Sequence, residues 1–143
     1  MNRTRLKTAL IAVSVCAMAL FVGAGAVFAN AGPKCGTGSS SGNVNTCFTI
    51  FGNDGTTFVV QMHATGTVIT ATRKLQECIH GPDQRLGRGL CSDEVTKSAG
   101  QTVTRNWFPG TTVTPGSYCA RTWRINSDGS KVLIGQECLD VHS

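Results

Sequence analysis

The sequence predicts an all-β fold: a small, disulfide-stapled antiparallel β-sandwich of immunoglobulin-like character, with a small β-barrel as the alternative. Three observations predict it. Six or seven short runs of β-branched and aromatic residues are broken at close intervals by Gly, Pro, Asn and Asp. Charged residues make up 15% of the chain, against about 25% in an average soluble protein, whereas Gly (17 residues) and Thr are abundant, which excludes long charged helices. Seven cysteines occur, six of them beyond an amino-terminal export segment, an even number suited to three disulfides.

Taken in order, residues 1–29 read as a signal peptide. Arg3, Arg5 and Lys7 form a basic start, a Gly/Ala-rich apolar run follows, and Ala29 and Ala31 offer small-residue cleavage sites. A membrane anchor is the structural rival, because the run is about 20 residues long; its small-residue end favours cleavage. The expected location is therefore secreted and extracellular, with no membrane association after removal. Loss of the three cations lowers the formal net charge of +5 to +2, which removes the electrostatic case for a nucleic-acid partner. Cys16 leaves with the segment.

Residues 30–45 read as a flexible Gly/Ser arm tied down only by Cys35, and residues 46–143 as a single β domain. Residues 47–51 and 57–62 form a hairpin around Gly52-Asn53-Asp54-Gly55. Residues 67–73 are a third strand, 82–90 a loop after His80-Gly81-Pro82, 93–98 a single helical turn, and 101–107 a further strand. Thr114-Pro115-Gly116 then turns the chain into a last hairpin. There, Asp128-Gly129 signals a two-residue turn, since both positions need positive φ. That turn sets Cys119 opposite Cys138, Trp123 opposite Ile134 and Ile125 opposite Val132, and it collects all six on one face, expected to be buried. Cys119 and Cys138 should therefore be bonded. Cys35 with Cys47 and Cys78 with Cys91 would each close a short local loop.

The residues provide little for catalysis. No Gly-x-Ser-x-Gly elbow occurs, the cysteines are expected to be oxidised, and His63, His80 and His142 have no spacing that calls for a Ser or Asp partner. Asp93 and Glu94 are adjacent and would point apart. No enzyme activity is expected. Without a Cys-x-x-Cys pair, neither a metal nor another cofactor is expected.

The interval 78–91 is more suggestive. Pinned at both ends, it would present Arg85, Leu86 and Arg88 at low ordering cost, as a serine-protease inhibitor does; Gly87 and Gly89 weigh against a rigid inhibitory loop. Trp107 and Trp123 raise a carbohydrate-binding alternative, although Trp123 falls on the expected core face and both suit core packing better.

The run C-F-T-I-F-G-N-D-G-T-T-F at residues 47–58, the His80-Gly81-Pro82 step, and W-F-P-G-T-T-V-T-P-G-S-Y-C-A-R-T-W at residues 107–123 resemble a group of small exported proteins of Streptomyces and relatives. Within that group the size, export signal, six cysteines and amino-terminal arm resemble the adaptor subunit of Streptomyces umbrella toxin particles. That resemblance implies a non-enzymatic module of an extracellular antibacterial complex, joining a lectin-bearing trypsin-like subunit to a large repeat-containing toxin scaffold. No catalytic residue carries over. The arm, with Lys34, Asn43 and Asn45, is the natural candidate for insertion into a partner's cleft, beside Arg85, Leu86 and Arg88 of the stapled loop.

Overall fold

The computed structural model describes residues 31–38 and 43–142. The signal-segment expectation and the middle of the expected arm lie outside the described residues. Ten strands form two five-stranded antiparallel sheets. The first contains β1 (Ala31–Thr37), β2 (Val44–Gly52), β3 (Phe58–Val68) and β7 (Thr102–Trp107) in that order, with β8 (Thr111–Thr112) also on β3. The second runs β10 (Lys131–Val141), β9 (Gly116–Ile125), β4 (Arg73–His80), β5 (Leu90–Cys91), with β6 (Val95–Lys97) also on β4. This succession of β2-β3-β7 against β10-β9-β4 is the immunoglobulin-type strand order. Tyr118 supplies the accompanying corner: fully buried near the start of β9, its hydroxyl donates to the Thr114 carbonyl oxygen at 2.7 Å. Among the described residues no helix is long and apolar enough to cross a membrane.

Alternation along each strand places the core between the sheets. On β2, Val44, Thr46, Phe48 and Ile50 point inward, as do Met62, Ala64 and Val68 on β3 and Leu75, Glu77 and Ile79 on β4. The interior is segmented. One apolar cluster, with Phe48, Met62, Ile79 and Tyr118, fills the end that carries the β2–β3 loop. Another, with Val44, Val68, Leu75, Val103 and Ile134, fills the opposite end. Between them lies a polar layer. The Thr46 and Thr122 hydroxyls are 2.7 Å apart, and Thr122 donates to Glu77 Oε2 at 2.6 Å. All three side chains are fully buried. Gly66 makes the layer possible, since a Cβ there would come within 2.7 Å of Thr122 and 2.8 Å of Glu77 Oε2. Burial pushes the Glu77 carboxyl up to about 8, against the smaller lowering effect of the Thr122 hydrogen bond.

The three disulfides join Cys35 to Cys47, Cys78 to Cys91 and Cys119 to Cys138, with Cα separations of 4.1, 4.0 and 4.1 Å. Each links two residues in direct register on adjacent strands. All three lie on outer sheet faces, because their neighbours on the strands (Phe48, Ile79, Ala120) are the ones that point into the core.

Four expectations are corrected. Residues 31–37 of the arm are not flexible but form β1, hydrogen-bonded to β2 and bonded through Cys35. Residues 67–73 are not a strand: β3 ends at Val68, Ala71 turns the chain at φ 63°, and β4 begins at Arg73. Residues 93–98 contain the edge strand β6 (Val95–Lys97) rather than a helical turn, because Val95 packs against the apolar cluster and pairs with Leu75. The last correction concerns the β9–β10 hairpin. Its loop has three residues, with Asn126 N donating to Ser130 O and Gly129 N donating to Asn126 O at φ +80°, a type I turn followed by a left-handed glycine. A bulge at Ile134 then shifts the register by one. The buried face is also the opposite one. Tyr118, Ala120 and Thr122 point inward, while Cys119, Trp123 and Cys138 lie outside, and Val132 is 37% exposed. Of the expected core face only Ile125 and Ile134 are buried.

Candidate functional site

Two regions gather the chemically distinctive side chains. The first is the stapled interval between Cys78 and Cys91, which forms a short 3₁₀ turn, Gln84–Leu86, capped by Asp83. Asp83 is 6% exposed and accepts from Arg85 Nε at 2.8 Å, Arg85 Nη2 at 2.7 Å, the Arg85 backbone N at 3.0 Å and the Thr114 backbone N at 3.2 Å. The Arg85 hydrogen bonds dominate and hold the Asp83 carboxyl well below the usual carboxylate range. The guanidinium also donates to Thr112 O and lies over the Trp107 ring, 5.3 Å from its centroid. Trp107 stacks on Tyr118 at 6.3 Å. Burial and the Asp83 charge push the Tyr118 hydroxyl up to about 12.

This network fixes the loop and decides what it presents. Arg85 is engaged on Asp83, Thr112 and Trp107. Leu86 is 4% exposed and belongs to the core cluster, so its expected presentation to a partner is corrected. The apolar side chain of a short capped turn has been drawn inward to cover Ile79 and Tyr118. Arg85 and Arg88 are both exposed, but Arg85 is tied down by its contacts and Leu86 is buried. The arm candidates are likewise held by the fold. Lys34 pairs with Glu137 at 3.6 Å and donates to Cys138 O. Asn43 receives the Thr70 hydroxyl on its side chain and the Ile69 N–H on its carbonyl, and Asn45 donates to Cys47 Sγ.

His80 stands beside the Cys78–Cys91 bond, the donor atoms of the three residues lying within 4.8 Å of one another. Both sulfurs are consumed by the disulfide. The imidazole packs against Gly89, and burial followed by the Arg121 cation lowers its pKa. His63 is engaged separately, on Asn106 Oδ1.

The second region is the outer face of the second sheet. Leu133, Trp123 and Gln76 stand in register across β10, β9 and β4. In the next outward row Gln136, Arg121 and Cys78 are in register, with Arg121 Nε donating to Gln136 Oε1 at 2.8 Å; the row after that holds Cys138, Cys119 and His80. Leu133 is 37% exposed and Trp123 half-buried. The edge of the patch is closed by ions: Glu94 bridges Lys74 at 2.9 Å and Lys131 at 3.2 Å. Lys131 stands opposite Ile125, which is 6% exposed although it belongs to the outward row.

Sequence reasoning placed Trp107 correctly as a packing residue and missed this face. The signal was present, because Trp123 shares its parity on β9 with Cys119, whose outward position follows once Tyr118 is recognised as a corner residue. Comparisons with protein-family models, with curated proteins and with solved structures find no match to this chain.

Proposed function

We propose that the chain is an exported, non-catalytic protein-interaction module, and most specifically the adaptor of an extracellular antibacterial toxin particle. The observation that supports it is the outer face of the second sheet. An aromatic and an aliphatic side chain, Trp123 and Leu133, share one register position on a face cross-linked by two disulfides. Such a surface docks at low ordering cost, and a half-buried Trp with Arg beside it is a frequent binding hot spot. The adaptor role itself rests on the sequence resemblance, which names a lectin-bearing trypsin-like protein and a large repeat-containing toxin as partners. Size-exclusion chromatography of culture medium containing the tagged protein tests this reading. Co-elution with larger secreted proteins is expected, with reversion to monomer for Trp123→Ser combined with Leu133→Ser while the disulfide map is unchanged. Elution of the unaltered protein as a monomer under gentle conditions would dispose of the proposal.

A second reading is favoured by the same outward Trp123. Aromatic faces stack on sugar rings, and Gln76, Gln136 and Arg121 supply polar groups around it. A carbohydrate binder predicts retention on insoluble polysaccharide that Trp123→Ala abolishes; no retention would eliminate it.

A further inference from the structure

A cleft of roughly 170 Å³ opens between the β2–β3 loop and the end of β10. Ile50, Phe58, Val59 and Val141 provide apolar walls, three of them 6% exposed or less, while Asp140 and His142 stand exposed at the mouth. The walls are set by paired strands, since Val59 is in register with Gly52 and Thr111, and Val141 with Gly116. The cleft is therefore preformed.

We propose that this cleft receives one basic side chain, Lys or Arg, from a partner polypeptide, with its methylene stem on Ile50, Val59 and Val141 and its cation on Asp140. Size argues first. The space is below the roughly 300 Å³ at which pockets begin to enclose whole small molecules, and suits a single side chain. Charge argues next. No Lys or Arg lines the cleft, and Asp140 forms no ion pair among the described residues. A second carboxylate, Asp54, is exposed between Asn53 and Gly55, both of which line the cleft. An apolar wall ending at carboxylates complements a side chain that is aliphatic along its stem and cationic at its tip. The Asn53 side chain offers a polar group to the backbone that carries it. The site is separate from the outer face of the second sheet, so either can be lost without the other.

Methyl NMR of the protein recovered from culture medium, titrated with N-acetyl-Gly-Lys-Gly-amide, tests the proposal. The Val59 and Val141 methyls should shift, with affinity about two- to fivefold above that of the norleucine counterpart. Asp140→Asn should weaken that preference and Asp140→Asn with Asp54→Asn should erase it, and the exposure of both residues leaves the fold unaffected. Equal affinity for the two peptides, or no shift of these methyls with either, overturns the proposal. Tighter binding of free 1,5-diaminopentane than of the lysine peptide would assign the cleft to small amines and overturn the polypeptide occupant.

Discussion

Cys119 lies directly across from Cys138, at a Cα separation of 4.1 Å, because two local irregularities cancel. The three-residue loop at Ser127, Asp128 and Gly129 offsets the strands by one residue in one sense, and the bulge at Ile134 offsets them by one in the other. Gly129 sits at φ +80° with no atom near enough to meet a Cβ. Gly129→Val should therefore destabilise the protein by about 1–2 kcal/mol through backbone strain alone, and Gly129→Asn by less. Denaturant melts of the two variants check this, and the bond between Cys119 and Cys138 should persist in both.

Glu77 makes stability fall with rising pH. Its folded carboxyl titrates at about 8 and its unfolded one near 4.5. The contribution is complete below the unfolded value and is lost progressively up to the folded one, amounting to roughly 3–5 kcal/mol. Glu77→Gln keeps an acceptor for Thr122 and removes the titration. The variant should melt well above the parent at pH 8 and close to it at pH 4.5. Parallel pH profiles would show that the polar layer tolerates the ionised group.

Asp83 works in the opposite sense. Its carboxyl is held low by Arg85, so its contribution is present above the ordinary carboxylate range and lost as pH falls through the folded value. Asp83→Asn should cost about 2 kcal/mol at neutral pH; the figure is kept modest because the Arg85 side chain is 45% exposed. The same variant should free Arg85 from Trp107, read as a change in indole fluorescence.

Tyr118→Phe removes the donor to Thr114 O while keeping the ring on Trp107. A loss of about 1–2 kcal/mol is expected, since a part-buried carbonyl is left without its partner. Hydrogen exchange should quicken first around residues 113–118.

The fold class was legible because it depends on local information, turn residues and strand-forming runs, whereas loop length alone left the pairing of Cys35, Cys47, Cys78 and Cys91 open. The hairpin register was legible only by cancellation, since no residue type announces a bulge at Ile134. The buried face of β9 was not legible from hydrophobicity. Its outward row, with Cys119, Trp123 and Ile125, is more apolar than its inward row of Tyr118, Ala120 and Thr122. The inward row satisfies its polar groups instead, through Thr114, Thr46 and Glu77. For the same reason Leu86 was misplaced: a leucine between two arginines looks exposed until its capped turn is known to fold back. The end cleft depends on β2, β3 and β10 meeting in space, which no spacing in the chain encodes.

Among the described residues, every disulfide ties a strand to its neighbour within one sheet, and none spans the interior. Under tension this divides the labour of resistance. Segments 35–47, 78–91 and 119–138 form closed rings that cannot lengthen, so a pulled chain keeps three rungs of its ladders even after the two sheets have parted. Strands outside those rings, β3 and β7 among them, can still unravel, but once the load is removed each half would still hold a cross-linked pair of strands from which to close again.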